Sequence, residues 1–301
     1  MTAATAARPS VARVAAPSAW YAAPAAAFFL VFAVLPVGAL VVLSFTSWDG
    51  LSAIAFDGGE SWRSVLTSEV TLAALGVTGK IMLFSFLVQA PASLLLGTFT
   101  AGRQRYRAVL AVLYFLPLLL SSAAVALAFK ALLDPNFGIG TASGLDVLRQ
   151  DWLGNSDLVL FVVVFVIAWQ FVPFHTLIYQ GGVRQIPRSL YEAAEIDGAG
   201  RVRQFFAITL PQLKYTIITS STLMVVGSLT YFDLVFVLTA GGPGYATRLL
   251  PLHMYLTGFQ ANEMGAASAI GVLLVLLGLG LALVVQRLGG RDRAASEMEG
   301  A

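Results

Sequence analysis

Arg184-Gln185-Ile186-Pro187-Arg188-Ser189-Leu190-Tyr191-Glu192-Ala193-Ala194-Glu195-Ile196-Asp197-Gly198-Ala199-Gly200, followed by Arg201-Val202-Arg203-Gln204-Phe205-Phe206-Ala207-Ile208-Thr209-Leu210-Pro211, separates two long apolar runs, and its reading decides the fold. Ser189 is placed to cap a short helix with Glu192 as its capping-box partner, and Gly198 and Gly200 offer the left-handed backbone that stops it. A second short helix follows, which Pro211 is expected to close because proline restricts the residue before it. Arg184, Arg188, Arg201, Arg203 and Lys214 hold this insert on the cytoplasmic side of a membrane.

The layout resembles the EAA loop of the membrane-spanning subunits of bacterial ATP-binding-cassette (ABC) importers. The pattern E-A-A, three residues, G, nine residues, I-x-L-P is met at Glu192-Ala193-Ala194, Gly198, Ile208 and Leu210-Pro211. In that family the loop is the coupling helix seated in a groove of the ATPase subunit, so the resemblance assigns ATPase coupling to Glu192, Ala193, Ala194, Asp197, Gly198 and Ala199. Small residues at these positions let a rigid helix approach another protein closely. An amphipathic helix lying on the lipid surface is the plainer alternative.

Outward from the loop, composition places the chain among polytopic membrane proteins. It has 301 residues, 58% hydrophobic and 11% charged, with a mean hydropathy of +0.81. The net charge of +2 says little, and no basic patch interleaved with aromatics suggests nucleic acid. The absence of cysteine excludes disulfides and thiolate chemistry, and the two histidines, His175 and His253, stand far apart, so no metal site is expected.

Residues 1–18 read as a disordered cytoplasmic tail of Ala, Pro, Ser and Thr. The run from Trp20 to Phe45 is too long for a signal-peptide core and lacks a small-x-small cleavage site, so it is the first span. Five more follow: about 77–99 with Lys80 near its outer end, 108–129 with Lys130, 158–179, 215–238 and 266–285. Residues 19–288 thus form an all-α permease domain of six transmembrane helices with the coupling loop at 184–214, and 289–301 form a second cytoplasmic tail. Residues 132–157 and 239–265 read as external loops. Thirteen of the eighteen cations then lie on one side, among them Arg8, Arg13, Arg103, Arg105, Arg107, Arg287, Arg291 and Arg293. That bias puts both termini in the cytoplasm of a bacterial cell membrane.

Polar groups inside a bilayer are expected only where they face a pathway or a partner helix. The fourth span carries Trp169, Gln170, Pro173 and Phe174 within about one turn. The fifth carries Met224, Gly227, Ser228 and Tyr231 at i, i+3, i+4 and i+7. Aromatic faces beside small residues and hydrogen-bonding groups suit a sugar, and helix packing by the same residue types is the competing reading. In permeases of the maltose-uptake type, the matching positions relative to the EAA loop are where the resemblance implies substrate contacts. Asp233 is a further, minor candidate, and His175 reads as a helix-to-helix hydrogen bonder.

The turn Leu238-Thr239-Ala240-Gly241-Gly242-Pro243-Gly244 resembles the T-x-G-G-P turn found in one of the two permeases of carbohydrate importers. Gly241, Gly242 and Pro243 are accordingly expected where a binding protein docks. The resemblance, covering about Leu72 to the C-terminus, implies a type I importer permease fold and a heterodimer with a related permease. It also implies an ATPase dimer carrying ATP and magnesium, and an external, lipid-anchored sugar-binding protein. No cofactor is expected on this chain. Gly76-Val77-Thr78-Gly79-Lys80 is the nearest approach to a phosphate loop, but Ala74 and Ile81 break it, and no hydrolase or zinc motif occurs. An ion-coupled secondary transporter, or an ABC permease for glycerol phosphate or polyamine, are the alternatives.

Overall fold

The structure, a computed structural model, describes residues 19–102, 105–144 and 149–289. The expected tails at 1–18 and 290–301, and Arg103 in the basic turn, lie outside the described residues. Among the described residues there is no strand, only an isolated bridge between Thr46 and Phe56.

Among the described residues four helices are long and apolar enough to cross a membrane, and six spans result if each of two bent pairs counts as one. The chain is an integral membrane protein. Helix α1 (Trp20–Leu43) buries none of its most apolar window within the chain, as a lipid-facing helix should. It touches the body where Leu40 lies against Gly271 of the last helix. Short helix α2 (Glu60–Thr67) then leads to α3 (Glu69–Thr100), capped by Ser68, whose hydroxyl accepts from the amide of Thr71 at 3.3 Å.

Helix α3 starts eight residues before the expected position, so Lys80 lies twelve residues inside a 32-residue helix rather than near its end. Its buried face reads Thr71, Ala74, Thr78, Ile81, Ser85, Gln89, Ser93, Gly97, Thr100, spaced by three or four residues. Small and hydroxyl side chains there let α7 (Val159–Gln185) run parallel to it at close range. A Cβ on Gly97 would lie 2.6 Å from Cβ of Tyr179. The amide of Gln180 donates to the carbonyl of Thr100 at 2.9 Å.

The third span is not the expected single helix. It divides into α4 (Arg105–Leu119) and α5 (Ser122–Leu132), which meet at 95°. Pro117 removes a backbone donor in the last turn of α4, and Ser121 turns extended (ψ 147°) and caps α5 through the amide of Ala124. After α6 (Ile139–Ser143) comes α7, then the short helices α8 (Arg188–Ile196) and α9 (residues 201–212). The fifth span is likewise α10 (Lys214–Thr230) and α11 (Phe232–Thr239), bent by 47° at Tyr231.

The connection expected as loop at 239–265 contains a helix, α12 (residues 250–260), before α13 (Met264–Gly289). Pro251 stands near its first position, where a missing N–H costs nothing, and Leu250 and Leu252 are fully buried. Leu252 completes a core of Ile81, Val163, Ile167, Leu234 and Leu238 drawn from α3, α7 and α11, while Leu250 packs in a second cluster with Val65, Ala74, Ala269 and Ile270. Burial, not amphipathic periodicity at the surface, thus fixes this outer helix.

Candidate functional site

Where the elbow of the third span meets the bend of the fifth, a cavity of about 400 Å³ opens. It is lined by Leu118 and Ser122, by Phe171, Phe174 and His175 of α7, and by Leu223, Gly227, Thr230, Tyr231, Asp233 and Leu234. The ring of Phe171 lies 5.2 Å from that of Tyr231. His175 Nδ1 hydrogen-bonds the hydroxyl of Ser220 at 3.0 Å, tying α7 to α10. The walls combine aromatic faces, hydroxyls and one carboxylate.

Of the side chains singled out on the two spans, the structure brings Phe174, Gly227 and Tyr231 to this cavity, together with His175 and the minor candidate Asp233, and the rest elsewhere. Gln170 is buried and donates to the carbonyl of Leu120 (3.3 Å) and to the hydroxyl of Ser122 (3.2 Å), bracing the elbow. Trp169 packs edge-on against Phe129 at 5.2 Å, Pro173 is buried within an unbroken α7, and Met224 and Ser228 are buried in packing. The stripe on the fifth span is therefore divided: Met224 and Ser228 face neighbouring helices, while Leu223, Gly227 and Thr230 face the opening. Leu118, Ser122, Phe171, Leu223, Thr230 and Leu234 also line it and were missed. Pro117 followed by Ser121-Ser122 was the available signal, because it breaks the third span and turns its elbow inward.

At the opposite end from α12, helices α8 and α9 form a hairpin. The capping box expected at Ser189 and Glu192 is absent: the helix starts at Arg188, and Pro187, with extended ψ of 130°, occupies the cap. Gly198 alone is left-handed (φ 73°), whereas Gly200 is extended (φ −69°, ψ 167°) and begins α9. Pro211 does not close α9. A π turn over Phe205–Thr209 precedes it and absorbs the missing donor, and the break comes at Leu213. The Tyr191 and Thr209 hydroxyls bond at 2.8 Å, and the amide of Gln204 donates to the carbonyl of Ala199 at 2.9 Å, so the hairpin is a fixed unit.

Glu192, Ala193, Asp197 and Gly198 are exposed on it, and Ala194 and Ala199 half-buried. Large apolar side chains are exposed beside them: Ile196 at 87%, Val202 at 72% and Phe206 at 62%. An exposed apolar patch rimmed by charge is the signature of a protein contact.

At the far end, Gly241, Gly242 and Pro243 belong to a turn locked from within. The Thr239 and Thr247 hydroxyls meet at 2.7 Å, and Thr247 donates to the carbonyl of Gly242 at 2.9 Å. Gly241 is buried with φ 87°, and a Cβ there would come within 3.1 Å of Leu252. The turn therefore sets the seat of α12, while Gly244 and Tyr245 present the exposed edge.

Bent spans around a polar-walled cavity, with a fixed hairpin exposing apolar groups at one end, are the architecture of a membrane permease subunit. The chain belongs to the family described as the binding-protein-dependent transport system inner membrane component, whose pattern matches residues 93–292. It is 32% identical over 263 residues to a probable ABC transporter permease protein, YurN, of Bacillus subtilis, covering 85% of this chain and 90% of that protein. It is 29% identical over 261 residues to the multiple sugar-binding transport system permease protein MsmF of Streptococcus mutans, covering 85% and 89%. The fold matches a chain in the crystal structure of a bacterial alginate ABC transporter in complex with an alginate pentasaccharide-bound periplasmic protein. That match has a TM-score of 0.75 and 23% identity, and it covers 91% of this chain and 95% of that one. This chain is an ABC importer permease, and membership of that family sets aside the ion-coupled alternative.

Proposed function

We propose that the chain passes an oligosaccharide across the bacterial cell membrane by alternating access, with both termini and the α8–α9 hairpin in the cytoplasm. The observation that carries the reading is the cavity between the elbow, α7 and the α10–α11 bend, whose rings and hydroxyls fit a sugar. Relatives named for sugar transport support it. The cavity carries Asp233 and no cation, which disfavours a phosphate cargo.

In this reading an ATPase dimer holding ATP and magnesium seats Glu192, Ala193, Ala194, Asp197, Gly198 and Ala199. Its closure, transmitted through the rigid hairpin, swings α7 and α10. A second, homologous permease completes the pathway, and a sugar-loaded binding protein docks at the edge near Gly241, Gly242 and Pro243. Phe174, Gly227 and Tyr231 contact the sugar, while Trp169, Gln170, Pro173, Met224 and Ser228 shape the walls behind them.

Gly227→Leu supplies the test. Gly227 lines the cavity and a Cβ there meets nothing within 4 Å, so a leucine at this position starts from open space and grows into the cavity. The variant is expected to insert and assemble normally, to keep ATP hydrolysis stimulated by the binding protein, and to lose sugar uptake in proteoliposomes. Wild-type uptake in that variant would remove the cavity from the pathway. A companion, Gly198→Trp, forces a bulky side chain into left-handed backbone at the hairpin corner and should uncouple hydrolysis from uptake.

A further inference from the structure

We propose that Arg248, Gln260 and Phe236 form a second sugar subsite at the outer rim, which takes the leading ring of a neutral oligosaccharide before that ring reaches the cavity at Tyr231. The inference rests on the permease reading above and adds to it a place of first contact and a preference for longer chains.

A separate cavity of about 430 Å³ is lined by Phe236, Ala240, Arg248, Leu256, Gln260 and Ala261. The Arg248 guanidinium lies 4.5 Å over the ring of Tyr245, which fixes its plane. Its Nε is buried without a hydrogen-bond partner, and among the described residues no carboxylate lies within ion-pair distance of it. The sealed Nε is out of a ligand's reach, but Arg248 lines the cavity, and its terminal N–H groups are the donors that a sugar hydroxyl can meet there. Phe236 belongs to an aromatic row in which Phe232, Phe236, Tyr255 and Phe259 touch in sequence at 5.1 to 5.4 Å. Ring faces beside a planar donor and the Gln260 amide are what a pyranose ring with its hydroxyls requires.

One helix joins the two cavities. Asp233 of α11 lines the inner one, and Phe236 of α11 and Ala240, the residue that caps it, line the outer one. Asp233 to Ala240 is about 10 Å at the helical rise, the reach of a disaccharide. The charges at the two stations select a neutral ligand. Hydroxyls can accept from Arg248 and donate to Asp233, whereas an acidic sugar drawn to Arg248 would be repelled by Asp233 as it advanced.

The test uses the complete transporter with its binding protein in proteoliposomes, supplied with maltose, cellobiose and xylobiose and the corresponding tetrasaccharides. Arg248→Ala is expected to lower tetrasaccharide uptake about tenfold relative to disaccharide uptake, the loss of one charge-assisted hydrogen bond, with Arg248→Lys between it and wild type. An equal loss for both lengths, or no loss, overturns the subsite. Weaker binding of the loaded binding protein to Arg248→Ala also overturns it, by making Arg248 a protein contact. Because the chain has no cysteine, Gln260→Cys in otherwise wild-type protein gives an independent reading. The tetrasaccharide that is transported should shield this thiol from a membrane-impermeant maleimide, and an unshielded thiol overturns the proposal even if Arg248→Ala fails to assemble. If wild type accumulates none of the six sugars, the sugar reading of the inner cavity falls, and the subsite with it.

Discussion

The side-chain amide of Gln170 donates to the carbonyl of Leu120 across the gap between α7 and the elbow of the third span. Leu120 sits where no helix supplies a partner for that carbonyl, and a bare carbonyl in a bilayer interior costs several kcal/mol. Gln170 therefore holds open a 95° break that forms one wall of the cavity. Gln170→Leu, nearly isosteric but without the donor, should destabilise the complex by about 1–3 kcal/mol and slow uptake. Thermal unfolding in detergent reads the first effect and proteoliposome transport the second; an unchanged melting temperature would leave the brace without energetic content.

The seam between α3 and α7 depends on Gly97. A methyl there would meet Cβ of Tyr179 at 2.6 Å and the backbone oxygen of Thr176 at 3.0 Å, and two helix backbones cannot easily give way. Gly97→Ala is expected to cost about 1–3 kcal/mol through overpacking. Gly76→Ala on the same helix meets nothing within 4 Å and should gain about 0.5–1 kcal/mol from helix propensity alone. Melting curves for the pair decide the matter: matching shifts in one direction would mean that the close approach is not what Gly97 serves.

How far these features could be read beforehand depends on where their information lies. Apolar length gives the order of the spans directly, because lipid imposes it on the local sequence. The resemblance of Glu192 to Pro211 to the EAA pattern gives the two short helices of the hairpin, though not their caps or the role of Pro211. The breaks were less legible. Pro117 and Tyr231 sit in runs apolar enough to pass as single spans, and the bends exist because Gln170 and the α11 core hold them. Helix α12 was invisible because its buried leucines are satisfied by α3, 170 residues away in sequence. Met224 and Ser228 share a stripe with Gly227, but positions three or four apart are turned by about 40–60° around the helix axis, and which of them the neighbouring helices cover is decided by packing that no periodicity argument contains.

Thr78 shows that long-range attachment at a single atom. Its hydroxyl donates to the carbonyl of Ala74 (2.7 Å) and accepts from the buried amide of Leu250 (2.8 Å) at the start of α12. Thr78→Val keeps the shape and strands that amide, so it should cost about 1–3 kcal/mol. Hydrogen exchange gives the specific readout, with protection at Leu250 and the following turn falling while the inner part of α10 stays protected. Uniform protection would show that the amide is held by packing alone.

His253 makes the same attachment dependent on pH. Its Nε2 lies 3.0 Å from the hydroxyl of Thr71 on the first turn of α3, while Nδ1 is buried without a partner. Burial, and secondarily the positive charge of Arg248, hold its pKa below the ordinary 6.5. The folded chain thus keeps the ring neutral where the unfolded chain would take up a proton. A depressed folded pKa means that the contribution is complete above the unfolded value and is lost as pH falls from about 6.5 through the lower folded value. His253→Gln retains a group able to bond Thr71 but carries no titration. Between pH 7.5 and 5 the melting temperature of wild type should fall further than that of the variant, so that the gap between them shifts against wild type as acid is added. Parallel curves would mean that His253 takes its proton equally easily in both states, and that the packing of α12 on α3 does not exclude water from the ring.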